Sequence, residues 1–310
     1  MDADLDTLAT ALYVTVDDLL KAHPERVPVR PRSGFQPGIS DAELVTLAVM
    51  QALLQMPKER RFLRYARRHL LSMFPGLPGQ TSYNRRLRAL ADTMAWLVGM
   101  LACQVSVVTD QVWIADSTPV ECGRSRDTAK RSDLAGYAEY GYCASHSRFF
   151  WGLRLHLIAT VHGIPIAWAL TGAKADERQV LDTMLERIPP DLAARITASL
   201  QRQALMADKG YYGTAFESDL TDIGIDLIRP TRKNDKTPRP GRQFLKPLRQ
   251  IVESIFDTLK DQLDLERHAA RTTAGVCARV AQRLLALTAA IWHNDRIGAP
   301  VLRSMTAYDH

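Results

Sequence analysis

Val112-Trp-Ile-Ala-Asp116 is a short apolar run that ends on a carboxylate, and Leu205-Met-Ala-Asp208 repeats the arrangement further along the chain. Such a run is typical of a strand buried in the centre of a sheet. Neighbouring strands of one sheet would bring the two carboxylates together at one edge. The two runs therefore predict a sheet with Asp116 and Asp208 side by side.

A third acid stands on an amphipathic helix, Arg249-Gln-Ile-Val-Glu253-Ser-Ile-Phe-Asp-Thr-Leu-Lys260. Its apolar residues follow the i, i+3, i+4 rhythm of a packed face, and its three charges Arg249, Glu253 and Lys260 form one stripe beside that face. Glu253 is thus predicted at the edge of the core, where a rigid acid can reach a metal among cations that attract phosphate. Taken alone, the spacing is more often that of an ordinary surface ion pair.

The other elements between residues 106 and 295 follow a definite order. Residues 149–161 are predicted to form a strand and residues 164–170 its hairpin partner, with a tight turn at His162-Gly163. Asp176 caps a predicted helix over residues 177–188. The order strand, hairpin, helix, strand, helix, strand, helix matches a ribonuclease H-like sheet. We predict an α/β (α+β) fold with a ribonuclease H-like mixed sheet flanked by helices and an N-terminal all-helical domain.

The N-terminal third is predicted to be helical. Ser40-Asp-Ala-Glu43 matches a capping box, and two further helices follow, the last of them running from Gln80 to about Met100. Three short helices with a turn before the last resemble a helix-turn-helix, although a helical bundle with a solvated basic rim fits equally well. As a helix-turn-helix, the last helix would present to DNA the residues Tyr83, Asn84, Arg85, Arg86 and Arg88. The predicted domains are residues 1–105 and 106–295, with a tail at 296–310.

Charge is distributed unevenly along the 310 residues, whose formal net charge is +6. One basic run extends from Lys58 to Arg88, and a second, from Arg229 to Arg249, contains Arg232, Lys233 and Lys246. Two basic surfaces suit a polyanion such as nucleic acid, although basic runs are also common as solvated faces.

Several classes of protein are disfavoured by the sequence. The four cysteines lack the spacing of a zinc site, so we expect free thiols in a reducing compartment. The acidic N-terminus does not resemble a secretory leader, and the longest apolar run, residues 284–292, is too short to cross a bilayer. We therefore expect a cytoplasmic protein with no membrane partner. His156 is read as a structural histidine more readily than as a site residue, and residues 121–147 as a long polar loop, functional or mobile.

Three carboxylates gathered at one sheet edge would repel one another unless a cation neutralised them. Hard oxygen ligands of this kind suit Mg²⁺ or Mn²⁺. Two such ions about 4 Å apart can activate a water or a 3′-hydroxyl on one side of a phosphodiester and stabilise the leaving oxygen on the other. No covalent protein nucleophile is then needed.

The same residues carry a resemblance to a known family. The chain resembles the bacterial insertion-sequence transposases of the DDE type over residues 5–292. The last of the matching motifs is similar to the family's Tyr-x2-Arg-x3-Glu-x6-Lys signature. The motifs are Ile114-Ala-Asp116-Ser-Thr-Pro-Val, Phe150-Trp-Gly-Leu-Arg-Leu-His156-Leu, Gly163-Ile-Pro-Ile, Ala207-Asp208-Lys-Gly-Tyr211 and Arg249-x3-Glu253-x6-Lys260.

The resemblance implies roles for these residues. Asp116, Asp208 and Glu253 would be the metal-binding catalytic triad, and Arg249 and Lys260 would contact DNA near the scissile phosphate. Where the signature has tyrosine, this chain has Lys246, which could still contact phosphate but would not stack on DNA as tyrosine does.

Three functions follow as hypotheses. The first is a transposase that binds terminal inverted repeats in double-stranded DNA, cleaves them and transfers their 3′-hydroxyl ends, acting as a homodimer on paired ends at the nucleoid. The second is a catalytically inactive DNA-binding repressor. The third is a related metal-dependent nuclease that cuts without transferring.

Overall fold

The structure is a computed structural model, and it describes residues 5–29, 37–143, 147–199, 202–233, 235, 241–301, 305 and 308. The chain divides into two compact units. A helical unit takes residues 1–98, 258–299 and 304–310, and a sheet unit takes residues 99–257 and 300–303.

The described residues form helices and strands in the following order. They are α1 (Leu5–Ala22), α2 (Asp41–Leu53), α3 (Glu59–His69), α4 (Gln80–Ala89), α5 (Ala91–Ala102), β1 (Val112–Gly123), α6 (Arg126–Arg131), β2 (Glu139–Cys143), β3 (Arg148–Thr160), β4 (Pro165–Gly172), α7 (Glu177–Glu186), α8 (Pro190–Ser199), β5 (Gln203–Met206), α9 (Thr214–Asp222), β6 (Ile225–Ile228), α10 (Arg242–Asp257) and α11 (Thr273–Arg296). A π-helical turn, Thr258–Gln262, follows α10.

The helical unit is built around α11. This helix packs against α1, α2 and α4, and its N-terminus is capped by the Thr272 hydroxyl, which accepts a hydrogen bond from the Gly275 amide at 3.1 Å. By length and composition α11 is apolar enough to cross a membrane, but 89% of its most apolar window is buried inside the protein. Its burial identifies α11 as a core helix of this unit.

The start of α2 follows the predicted capping box. The Glu43 amide donates to the Ser40 hydroxyl at 3.1 Å, and the Ser40 amide donates to the Glu43 carboxylate at 2.6 Å. Both bonds satisfy amides that the first turn of a helix leaves without an intrahelical partner. The prediction is confirmed, and α2 is buried on nearly every side.

A buried polar network joins α2, α3, α4 and α11 within the helical unit. Arg279 forms an ion pair with Glu59, and both side chains are less than 10% exposed. Asn84 also donates to Glu59, at 2.6 Å, and the Tyr83 hydroxyl donates to Gln51 at 2.7 Å. Buried charges persist only when they are paired and hydrogen-bonded, and this network meets that requirement.

The sheet of the second unit is mixed. β1 pairs with β3 antiparallel on one side and with β5 parallel on the other, and β6 continues the sheet parallel to β5. β2 and β4 both pair antiparallel with β3, β2 along its first residues and β4 along its later ones. Because β1 occupies the other edge of β3, β2 and β4 lie end to end along the same edge.

This strand order confirms the predicted fold class, a ribonuclease H-like mixed sheet flanked by helices. The predicted hairpin is also present as β3 and β4, and Gly163 in its turn has a φ of +93°, a conformation that glycine adopts without strain. Asp176 caps α7 as predicted, since its carboxylate accepts from the Arg178 amide at 2.9 Å.

Two expectations from the sequence are wrong. Residues 121–147 are not one long loop, because β1 continues to Gly123 and the segment then forms α6 and β2. The polar, tyrosine-rich β2 is stabilised by pairing with β3, and that pairing is invisible in its own composition. The helix expected to run from Gln80 to about residue 100 is two helices, α4 and α5, which separate at Leu90.

The predicted domain boundaries at residues 105 and 295 remain a prediction. The compact units differ from them, since residues 258–299 group with the N-terminal helices. Compactness is a matter of contact density, whereas a domain in the predicted sense folds by itself.

Candidate active site

The parallel register of β1 and β5 brings Asp116 and Asp208 side by side. Ile114 on β1 lies opposite Met206, the last residue of β5. Two residues after this pair come Asp116, still on β1, and Asp208, which lies just beyond the end of β5. β1 itself does not end at Asp116, but its neighbour β5 has ended, so Asp116 lies where the β5 side of β1 is no longer covered by a strand.

The surroundings of Asp116 favour its protonated form. The pKa of this carboxyl is raised to about 7, mainly by burial and also by the negative charges of Asp208 and Glu177. The Ser117 amide, which donates to Oδ1 at 2.7 Å, and the charge of Arg249 act in the opposite direction. Burial and the neighbouring acids raise the pKa of this carboxyl, and a bound cation would stabilise its charged form.

Asp208 begins a tight turn. Its Oδ1 accepts a hydrogen bond from the Gly210 amide, and its carbonyl accepts one from the Tyr211 amide at 3.3 Å. The Tyr211 side chain is 1% exposed, and its hydroxyl has no hydrogen-bond partner within the part of the chain that the structure describes. Burial and the charges of Glu177, Asp116 and Asp208 raise its pKa well above the ordinary value. Tyr211 is therefore a neutral donor beside the acids.

Glu177, the first residue of α7, is a site residue that the sequence analysis missed. Its Oε1 accepts a hydrogen bond from the Ser117 hydroxyl at 3.1 Å and lies 3.5 Å from Nη1 of Arg154. The same nitrogen of Arg154 donates to the Ser117 oxygen at 2.9 Å. Glu177 was treated only as the residue after a helix cap, and its one signal in the sequence is the acid pair that it forms with Asp176.

Glu253 lies on the exposed side of α10. That helix packs against β1, and its residues Val252, Ile255 and Phe256 are buried as predicted. The Glu253 side chain is 57% exposed, more than the predicted position at a core edge implies, and pairs with Arg249 at 3.1 Å. Asp257, one turn later, is also exposed.

The side chains as they stand do not form a closed metal cage. Among the described residues, no three Asp, Glu, His or Cys side chains lie close enough together to hold an ion. The structure thus brings Asp116 and Asp208 together and leaves Glu253 in its ion pair. The donors nevertheless fit Mg²⁺ or Mn²⁺. All are carboxylate oxygens, and a cation would neutralise the repulsion between neighbouring acids.

The predicted DNA-contacting arginines of α4 differ in exposure. Arg85 and Arg88 are exposed. The guanidinium of Arg86 is 11% exposed and bridges the Ile39 carbonyl at 2.9 Å and the Asp41 carboxylate at 2.8 Å. Arg86 thus joins α4 to the start of α2.

The second set of predicted cations lies around α10. Arg232 stacks on the Tyr212 ring, 3.3 Å from its centroid. Lys233, Lys246 and Arg249 are exposed, whereas Lys260 is partly exposed in the π-helical turn, which belongs to the helical unit. Their contacts with DNA remain predictions.

His156 has the character of a structural histidine. The Thr171 hydroxyl donates to the Gly172 carbonyl at 3.0 Å, so its oxygen accepts from Nε2 of His156, also at 3.0 Å. Burial, assisted by the charge of Arg154, lowers the pKa of His156 to about 4. The four cysteines, all among the described residues, form no disulfide.

Comparison with known proteins identifies the family that this geometry resembles. The model of a family described as "Transposase DDE domain" matches residues 109–289, more than half of the chain, and this range includes Asp116, Asp208 and Glu253. A search of the curated proteins finds no match. Among solved structures, the chain is similar to the piggyBac transposase synaptic complex with hairpin DNA, with a TM-score of 0.47 and 9% identity over 99% of this chain and 76% of that chain. It is also similar to the Mos1 mariner paired-end complex with Mn, with a TM-score of 0.26 and 11% identity over 96% of this chain and 98% of that chain.

Proposed function

The chain belongs to the transposase DDE domain family, and on that premise we propose that it is the transposase of an insertion sequence: it binds the terminal inverted repeats, cleaves phosphodiester bonds there and transfers the 3′-hydroxyl ends to target DNA. The observation that carries the proposal is the register that sets Asp116 beside Asp208, with α10 packed on the same strand.

The three acids have distinct positions in this proposal. Asp116 on β1 and Asp208 just after β5 would hold two Mg²⁺ or Mn²⁺ ions, and Glu253 would supply the third carboxylate from α10. Ions bound there would activate the attacking water or 3′-hydroxyl and stabilise the leaving oxygen. In the free protein Glu253 is paired with Arg249, so a phosphate that binds Arg249 would release the carboxylate for the site.

The exposed cations bind the DNA backbone in the same proposal. Arg249, Lys246, Lys260, Arg232 and Lys233 act around α10. Arg85 and Arg88 contact DNA from α4, as residues on the last helix of a helix-turn-helix do. Arg86 supports them through its ion pair with Asp41. The partner is double-stranded DNA, a homodimer holds the paired ends, and the protein works in the cytoplasm at the nucleoid.

The proposal is tested by Mg²⁺-dependent cleavage of a duplex that carries the DNA flanking the coding sequence on both sides. Asp208→Asn removes a charge at nearly constant shape, and Asp219→Asn, on the exposed side of α9, is the matched control. We expect cleavage by the wild type and by Asp219→Asn and none by Asp208→Asn, with DNA binding retained in all three.

The two alternatives give different outcomes. A DNA-binding repressor would bind the duplex in the presence of a chelator and would cleave under no condition. A nuclease would cleave but would not join pre-cleaved 3′ ends to a target plasmid. Equal cleavage by the wild type and Asp208→Asn would contradict the assigned site.

A further inference from the structure

Glu177 has two carboxylate oxygens in different surroundings. Oε1 interacts with the Ser117 hydroxyl at 3.1 Å and with Arg154 at 3.5 Å. Oε2 is directed toward Gly210: a Cβ at that position would lie 2.9 Å from Oε2 of Glu177 and 3.0 Å from Oδ1 of Asp208. The two carboxylates therefore approach the same point of glycine backbone, and a side chain there would separate them.

An ion pair with Arg154 accounts for only half of this arrangement. It explains the position of Oε1, but it does not explain why Oε2 and the Asp208 carboxylate both lie beside Gly210, since neighbouring like charges repel. The Asp116 carboxyl belongs to the same cluster, since it interacts electrostatically with both Asp208 and Glu177. A cation between these oxygens would remove the repulsion.

The Tyr211 hydroxyl is a second, independent observation that points to a ligand here. It is buried, it has no partner within the described residues, and it interacts electrostatically with Glu177, Asp116 and Asp208. A buried hydroxyl normally has a hydrogen-bond partner. The water shell of a hydrated divalent ion would supply an acceptor at this position.

We propose that Glu177 is a further carboxylate of the divalent-cation site, which binds an ion together with Asp116 and Asp208. The inference rests on the proposed function, because it concerns the same site. The Arg154–Ser117 pair fixes the orientation of Glu177, and the absence of a side chain at Gly210 leaves room for the two carboxylates to converge. Glu177 thus contributes from α7, in addition to Glu253 on α10.

The test is Mn²⁺ binding by the full-length protein without DNA, measured by electron paramagnetic resonance and by calorimetry. Glu177→Gln is compared with Glu186→Gln, which removes an exposed acid at the other end of the same helix. We expect Glu177→Gln to weaken Mn²⁺ binding by about 10- to 100-fold and Glu186→Gln to leave it unchanged. Gly210→Ala keeps every charge and places a methyl group between the carboxylates, so it is expected to weaken binding as well.

Asp208→Asn separates this inference from the proposed function. If Asp208→Asn loses Mn²⁺ while Glu177→Gln and Gly210→Ala bind it as the wild type does, Glu177 is only a structural partner of Arg154 and the inference is overturned. If neither Asp208→Asn nor Glu177→Gln changes Mn²⁺ binding, no ion binds at these residues. Both the inference and the proposed function are then contradicted. Thermal unfolding of each variant shows whether a loss of Mn²⁺ binding reflects a loss of fold. If Glu177→Gln is unfolded, the Mn²⁺ binding of Gly210→Ala decides the inference.

Discussion

Nε of Arg249 donates a hydrogen bond to Oε1 of Glu253 at 3.1 Å, one turn apart on the exposed side of α10. The pair is exposed to solvent, with 72% of the arginine and 57% of the glutamate side chain accessible. Exposed pairs of this kind contribute little to stability. Either partner is therefore free to exchange the other for a ligand, phosphate for Arg249 and a divalent ion for Glu253.

Glu253→Gln is expected to abolish cleavage and to preserve DNA binding. The substitution removes the carboxylate charge at nearly constant shape, so cleavage in Mg²⁺ should fall by about 10²- to 10³-fold. The measurement is single-turnover cleavage of the flanking-DNA duplex, with binding followed by fluorescence anisotropy.

Asp257→Asn is the comparison for this variant, since Asp257 is the next exposed acid on α10. Wild-type cleavage by Glu253→Gln together with loss of cleavage in Asp257→Asn would transfer the third acid to Asp257.

Lys260→Ala is expected to weaken DNA binding and to reduce the slope of log K against log salt by about one, because it removes one phosphate contact. Lys21→Ala is matched in net charge, and Lys21 belongs to a surface pair with Asp17 at the end of α1. A slope equal to that of the wild type would remove Lys260 from the DNA interface.

The three arginines of α4 are expected to separate into two classes. Arg85→Ala and Arg88→Ala remove exposed charges, so each should reduce the salt slope of DNA binding by about one and leave thermal stability unchanged. Arg86→Ala removes the bridge between Asp41 and the Ile39 carbonyl and should cost about 3 kcal/mol of unfolding free energy. Equal effects of all three on DNA binding and on stability would contradict this division.

The exposure of these arginines shows which features the sequence can predict. Helical periodicity identifies α4, but it does not reveal that Tyr83, expected to face DNA, is fully buried and donates to Gln51. Nor does it reveal that Asp41 lies opposite Arg86. The capping box at Ser40 and the hairpin turn at Gly163 were predictable because each is encoded within a few consecutive residues. The end of β1 was not, since this strand continues past Asp116 to Gly123.

The missed parts of the site depend on contacts between distant residues. Glu177 is 60 residues from its hydrogen-bond partner Ser117, so no local spacing links them. β2 forms because β3 offers an edge for pairing, and the 57% exposure of the Glu253 side chain depends on how much of α10 the sheet covers. Tertiary packing decides all three, and composition does not record it.

Glu59→Gln is expected to destabilise the helical unit by about 3 to 5 kcal/mol, because it leaves the buried charge of Arg279 without its carboxylate. The measurement is the free energy of urea-induced unfolding. The double variant Glu59→Gln with Arg279→Met removes both charges and should recover most of the loss. A double variant no more stable than Glu59→Gln would show that packing around Arg279, and not its charge, is responsible.

His156 is expected to make the protein less stable in acid. Its pKa is about 4 in the folded protein and about 6.5 in an unfolded chain, so the unfolded state binds the proton more strongly. The histidine therefore contributes its full stability above pH 6.5, and this contribution is lost as the pH falls toward 4. The difference between the two pKa values corresponds to roughly 3 kcal/mol. His156→Gln has no titrating group at this position, so the unfolding free energy of the wild type should fall relative to that of the variant between pH 6.5 and 4 and then run parallel to it. Parallel curves over the whole range would mean that His156 is protonated with its ordinary pKa in the folded protein.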